Sequence, residues 1–218
     1  NRWRTCLKRA TSAAARRVEM GDQLAMSPSN ASLPSMRLKT AVSPNPLSPY
    51  AAAKLIGEYY CSTFTHVYGL ETVRLRYFNV FGPRQDPASP YSAVIPLFIT
   101  AMLAGRTPTI FGDGHQSRDF TYIDNIVYAN LLAADAKNVA GKVYNVATGG
   151  RASLLDLIAG INKILGTNIV PRHEPARAGD VRHSQADITR ARADLGFEPQ
   201  VGLEEGLRRA VAHYRTAK

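Results

Sequence analysis

The chain has 218 residues, 45% apolar and 8% aromatic, which suits one large or two small folded domains and excludes a disordered or fibrous polymer. Its net charge of +10 is uneven, because residues 1–42 hold eight Lys/Arg against two Asp/Glu. The body of the chain is only mildly basic, which argues against nucleic acid as a partner and leaves room for cations gathered around one anionic small molecule.

Residues 1–42 are rich in Arg, Ser and Ala and hold no lasting period of 2 or 3.6. ATSAAARRVEM is compatible with a short helix and SPSNASLPSMRLKT with a loop. From Val42 onward caps, turns and periodicity set in. Ser48 and Pro49 open a helix predicted over 50–68, with Leu55, Tyr59 and Phe64 as its buried stripe and Gly69 as its stop. ETVRLRYFNVFG predicts a strand in which Val73, Leu75 and Tyr77 alternate with Arg74, Arg76 and Phe78, before the loop GPRQDPASPYS. AVIPLFITAMLAG predicts a helix with Pro96 in its first turn and Gly105 at its end.

PTIFGDG is a short strand and turn. RDFTYID is another strand, and Asp124 is placed to cap the helix NIVYANLLAADA. GKVYNVAT is a strand. SLLDLIAGINKILG is a helix in which Ser153 and Asp156 have capping-box spacing, and Gly166 ends it. NIVPRHE is a short strand, and DITRARADLGF a helix capped by Asp187. GLEEGLRRAVAHYR is an amphipathic helix with Leu203, Leu207, Val211 and Tyr214 on one face. Strands alternate with helices, so the class is α/β with a largely parallel sheet.

Two cysteines, Cys6 and Cys61, form no CxxC pair and no metal-type spacing, which points to a reducing, cytoplasmic setting. The longest apolar stretch, Ala93 to Ala104, is short for a membrane span, and residues 1–20 lack the apolar core of a secretory signal. No membrane partner is expected. His66, His115, His173, His183 and His213 share no metal-type spacing and read as scattered surface histidines, so no metal site is expected.

Within PNPLSPYAAAKLIGEYY a tyrosine precedes a lysine by four residues, which stacks Tyr50 and Lys54 on one helix face. An ammonium beside a phenol favours the phenolate, which can take a proton from an alcohol. The spacing alone fits an ordinary amphipathic helix more readily. Tyr77, Phe78 and Asn79 close a strand, where open α/β sheets place ligands; two buried aromatics and a turn asparagine would look the same. Arg118 and Arg177 are the best anion candidates, because a guanidinium matches phosphate oxygens with paired hydrogen bonds. A single surface arginine is otherwise simply solvated.

Five blocks follow in order: PNPLSPYAAAKLIGEYY, LRYFNVFGPRQDP, GDGHQSRDFTYIDNIVYANLLAA, KVYNVATGG and RAGDVRHSQADITRARADLGFEP. Together, over about residues 42–218, they resemble the extended short-chain dehydrogenase/reductase family, and within it the NAD-dependent nucleotide-sugar 4-epimerases. The resemblance implies the C-terminal part of a doubly wound, Rossmann-type parallel sheet in residues 43–80 and 119–150. It implies a small α/β nucleotide-sugar-binding domain in 81–118 and 151–218, after an atypical lead over 1–42. NAD is the implied cofactor, and a UDP-hexose or UDP-N-acetylhexosamine, turned over through a 4-keto sugar, the implied substrate. A non-catalytic nucleotide-sugar-binding module and a sibling dehydratase or decarboxylase stay open.

By the same resemblance Tyr50 is the catalytic acid/base, and Lys54 is its partner, which also holds the nicotinamide ribose. Tyr77 lies near the nicotinamide. Asn79, Arg118 and Arg177 grip the diphosphate, and Asp180 holds a ribose hydroxyl. Ala93 and Val94 offer backbone contacts to the nucleotide, and Phe111 lies against the uracil. Ser184 gates the sugar pocket, and a serine there leaves room for a 2-acetamido group. Family members often dimerise through the helix of the tyrosine, and LIGEYYCSTFTHVY is apolar enough on more than one side for a homodimer.

The sequence also departs from the family. It contains no GxxGxxG turn and no acidic residue assignable to the adenosine ribose. Ser27, Ser29 and Ser32 lie where a catalytic Ser/Thr is expected, but none can be assigned. Two explanations fit the lead: high-GC DNA read in a shifted frame, which would make the chain incomplete, or a genuine divergent start. The first is favoured. Loss of the first half of the sheet should bare the strand of ETVRLRYFNVFG, which parallel sheets bury on both faces. Poor solubility, weak or no NAD binding and impaired activity are therefore expected of this chain alone.

Overall fold

The structure, a computed structural model, describes residues 17–22 (backbone path), 46, 49–88, 94–176 and 182–216. Among the described residues three parallel strands form the central sheet, in the order β1 (Arg17–Asp22), β2 (Thr72–Tyr77), β7 (Val143–Val146). The end of ATSAAARRVEM, expected as a short helix, opens β1 instead. β1 pairs with β2 along its whole length, from Arg17↔Thr72 to Asp22↔Tyr77. A ready ladder partner overrides weak local helix preference. β2 therefore has a neighbour on each side, and the bare edge expected for it is absent.

α1 (Pro49–Tyr68) connects β1 to β2. It ends as predicted: Gly69, at φ 66, donates to Thr65 C=O at 3.1 Å, and Leu70 N–H reaches Phe64 C=O at 3.4 Å. The expected apolar stripe is not what α1 buries. Tyr59 is 61% and Phe64 44% exposed, whereas Ala51 and Glu58 are buried. The reason lies in β2, which offers α1 polar side chains. Arg76 donates from Nε and Nη2 to the two Glu58 carboxylate oxygens at 2.7 and 2.8 Å. Arg74 Nη1 reaches Glu58 C=O at 3.2 Å, and Thr72 Oγ1 lies 2.6 Å from Thr65 Oγ1.

On the other face of β2, Val73, Leu75 and Tyr77 enter a core with Tyr144 and Val146 of β7. α3 (Ile123–Asp135) and α5 (Thr189–Leu195) close that core with Ile126, Ala129 and Leu195. Both faces of β2 are thus covered, as for a parallel strand.

Asn79, at φ 21, turns the chain from β2 into β3 (Val80–Phe81), which pairs in parallel with β6 (Thr121–Tyr122). Beyond this turn a second core forms around Phe81, Phe120 and Tyr122. It is enclosed by α2 (Val94–Leu103), α4 (Leu154–Leu165) and α6 (Leu203–Thr216). β4 (Thr109–Phe111) runs parallel to β9 (Arg172–Glu174), and β5 (Ser117–Arg118) antiparallel to β8 (Ala152–Ser153). RDFTYID is thus two short strands rather than one, because Asp119 turns inward between β5 and β6.

Ser153 and Asp156 form the predicted capping box, and Gly166 adopts the left-handed conformation that ends α4. Asp124 does not cap α3; it sits in the first turn and pairs with Arg209 at 3.0 Å. Asp187 precedes the N-cap Ile188, and its carboxylate accepts from Thr189 N–H at 2.9 Å. On α6, Leu207 and Val211 are buried and Leu203 and Tyr214 packed beside them, as predicted. Among the described residues no helix is long and apolar enough to cross a membrane, and no cluster of His, Cys, Asp and Glu could hold a metal.

Candidate active site

α1 and β2 run in opposite directions, since Cys61 and Thr65 lie beside Thr72 and Glu58 beside Arg74 and Arg76. The first turns of α1 therefore lie at the carboxyl end of β2. Tyr50 is in the first turn and 48% exposed. Lys54 follows one turn later, its Nζ 5.5 Å from the centroid of the Tyr50 ring. Glu58 lies one further turn along, so its ion pair with Arg76 anchors the helix beneath the tyrosine and lysine.

The structure does not bring the Tyr77 side chain to this pair. Tyr77 faces the α3 side, 5% exposed, with its hydroxyl 3.0 Å from Asn130 Oδ1. Phe78 points the other way by strand alternation and packs on Ala147, Ala186 and Ile188. It is the aromatic on the α1 side of the strand end. At Asn79 the backbone carbonyl accepts from Thr121 N–H at 3.1 Å. Asn79 Oδ1 is buried and has no partner among the described residues, the condition in which a buried acceptor calls for a ligand group or a water.

A second group of predicted residues meets around Ser117. Its carbonyl accepts from Ser184 N–H at 3.0 Å and from Arg118 Nη1 at 2.9 Å. One oxygen thus brings the Arg118 guanidinium and the Ser184 backbone together. Ser184 is buried. His183 Nδ1 lies 2.8 Å from Ser117 Oγ. Burial, then the charges of Arg151, Arg182 and Arg118, push the His183 pKa down. Arg182 is held by Asp113 through two bonds of 3.0 and 2.7 Å.

Phe111 ends β4 half-buried, its carbonyl accepting from Gln116 Nε2 at 2.6 Å. Val94 begins α2. Ala93, Arg177, Asp180 and the candidate serines Ser27, Ser29 and Ser32 lie outside the described residues. Sequence reasoning missed three contributors: Glu58, Asp119 and the arginine surroundings of His183. Only Asp119 left a signal, as the neighbour of Arg118 in RDF.

A dinucleotide asks for two things from this edge. The exposed Tyr50 phenol and the half-buried Lys54 ammonium, at the carboxyl end of β2, fit its nicotinamide-ribose end. A glycine-rich turn for its pyrophosphate does not occur in this sequence. The residues present therefore fit one end of the cofactor.

Comparison with known proteins agrees with this geometry. A family profile described as the NAD dependent epimerase/dehydratase family matches residues 24–147, beginning inside the lead. A UDP-glucose 4-epimerase of Mycolicibacterium smegmatis is 42% identical over 171 residues, 78% of this chain and 54% of that protein. The chain spans about half the length of the curated relatives it matches. Among solved structures, a UDP-N-acetylglucosamine 4-epimerase from Methanobrevibacter ruminantium, in complex with UDP-N-acetylmuramic acid, is similar with a TM-score of 0.82 and 41% identity, over 90% of this chain and 62% of that one. A Thermotoga maritima UDP-glucose 4-epimerase with UDP-glucose gives a TM-score of 0.84 and 38% identity, over 91% of this chain and 62% of that one. With a family match over more than half its residues and this level of identity to its relatives, the chain belongs to the NAD-dependent epimerase/dehydratase family.

Proposed function

We propose that this chain carries the acid/base pair and the diphosphate grip of a NAD-dependent UDP-hexose 4-epimerase that also accepts UDP-N-acetylhexosamines. The observation that carries the proposal is the Tyr50–Lys54 pair, its phenol exposed, on the turns of α1 that lie at the carboxyl end of a parallel strand, the end from which Asn79 turns the chain. Tyr50 takes the proton of the sugar 4-hydroxyl and returns it after the 4-keto sugar has turned over. Lys54 stabilises the phenolate and donates to the nicotinamide ribose. Bound NAD supplies the hydride acceptor and donor. Arg118, with Arg177, neutralises the substrate diphosphate, and Asn79 donates a side-chain amide N–H there. Phe111 flanks the base, Asp180 a ribose hydroxyl, and Ala93 and Val94 the nucleotide through their backbone. The small Ser184 leaves space for an acetamido group.

The exposed Ile56, Tyr59, Tyr60 and Val67 of α1 support a homodimer contact through this helix. The spacing of the two cysteines, neither a CxxC pair nor a metal-type pattern, supports a reducing, cytoplasmic setting.

A second reading is a nucleotide-sugar-binding module without redox chemistry, in which Arg118 and Ser184, brought together at Ser117, serve binding alone. Calorimetric titration with UDP, followed by incubation with NAD and UDP-glucose and chromatography for UDP-galactose, separates the two. UDP binding with product supports the epimerase. UDP binding without product supports the module, and no UDP binding overturns both.

A further inference from the structure

Asp119 lies between β5 and β6 and is 0% exposed. Its Oδ1 accepts from Thr148 N–H at 3.0 Å and Thr148 Oγ1 at 2.6 Å. Its Oδ2 accepts from Gly149 N–H at 2.9 Å and Ala186 N–H at 3.3 Å. An ionised carboxylate is acceptor-only, with room for about four donors, and here all four are present. Thr148 and Gly149 follow β7 of the central sheet, Ala186 stands two residues past Ser184, and Arg118 is the chain neighbour. One buried carboxylate thus joins three segments, two of which bear a proposed substrate-binding residue.

We infer that Asp119 is the positioning residue that sets Arg118 and Ser184 against the carboxyl end of the central sheet. The inference rests on the nucleotide-sugar reading given above. Ser117 makes the second stitch, its N–H donating to Arg182 C=O at 2.9 Å and its C=O accepting from Ser184 N–H at 3.0 Å. With both stitches in place, the segment of Ser184 cannot slide past Arg118. Burial raises the Asp119 carboxyl pKa above its ordinary value, against the opposite pull of the bonds from Thr148, Ala186 and Gly149. Structure alone does not require such a charge, since apolar packing often serves stability as well as a buried ion does.

Asn125 provides a structural control. It is equally buried and ties α3 to Gln200 and Val201 by bonds of 2.8 to 3.0 Å, with no link to Arg118 or Ser184.

The test compares Asp119→Asn, Thr148→Val, Thr148→Ser and Asn125→Ala in the whole chain. UDP affinity is measured by calorimetry on folded protein, and amide exchange is followed at residues 182–186. Asp119→Asn places a donor against backbone donors and should weaken UDP binding about tenfold, the loss of one charge-assisted hydrogen bond's worth of affinity. Thr148→Val should lose part of that affinity and Thr148→Ser should restore it. Exchange at 182–186 should quicken in Asp119→Asn and Thr148→Val and stay at the wild-type rate in Asn125→Ala, which should also bind UDP normally. If Asp119→Asn does not fold, Thr148→Val and its serine rescue carry the test. Wild-type affinity in Thr148→Val, or equal weakening in Asn125→Ala, overturns the inference. If the wild type itself fails to bind UDP, the nucleotide-sugar reading falls, and unchanged exchange in Thr148→Val then overturns the positioning role on its own.

Discussion

Glu58→Ala should be the most damaging single substitution on α1. The Arg76–Glu58 pair is bidentate at 2.7 and 2.8 Å, with side chains only 10% and 11% exposed. Removing the carboxylate leaves the Arg76 guanidinium buried without this partner. It also strips the nearest opposing charge from Arg74, whose pKa burial already pushes down. Breaking a buried pair from one side costs about 3–5 kcal/mol. For a chain of this size about 2–4 °C of Tm is lost per kcal/mol, so the midpoint should fall by roughly 6–20 °C. Thermal unfolding followed by circular dichroism reads this directly. The double variant Glu58→Met with Arg76→Met should recover at least half of the loss, because two matched apolar side chains need no compensation. A loss below about 1 kcal/mol, the range of solvent-exposed pairs, would refute the reasoning.

Three further outcomes are expected. Arg118→Ala should weaken UDP binding roughly 10- to 100-fold through a lost charge-assisted contact, and unchanged affinity would remove Arg118 from the diphosphate grip. Ser184→Tyr should cut turnover of UDP-N-acetylhexosamines more than that of UDP-hexoses, with equal loss on both refuting the gate. His183 has a folded-state pKa below its ordinary value of 6.5, set by burial and by Arg151, Arg182 and Arg118. The unfolded chain then binds its proton first, so this contribution to stability is full above pH 6.5 and lost as pH falls from there through the folded pKa. Tm measured across that window should slope less in His183→Gln; identical slopes contradict the assignment.

The helix that carries the candidate pair was legible from its own end signals, whereas the roles of Tyr50 and Lys54 came from the family resemblance, since their spacing alone fits an ordinary helix. The predicted start at Pro49 and stop at Gly69 held. What α1 buries was not legible, because it depends on a strand far along the chain. Arg74 and Arg76 on β2 select Glu58 over Tyr59 and Phe64, and no period within α1 encodes that choice. Alternation along β2 was read correctly, yet it sends Tyr77 to the α3 side, away from the residues with which family resemblance grouped it. β1 was missed for the same kind of reason. Arg17–Asp22 has little strand character of its own, and its conformation comes from pairing with β2. Asp119 was hidden within an apparent strand, since its four donors come from residues 29 to 67 positions away.

The central claim is that Tyr50 moves the proton at the sugar 4-hydroxyl. The rate of UDP-glucose conversion to UDP-galactose in the presence of NAD, for the wild type and for Tyr50→Phe, tests it most directly. The account predicts a fall of about 10²- to 10⁴-fold, the usual contribution of a general acid/base, with UDP affinity unchanged. Equal rates in the two proteins would contradict it.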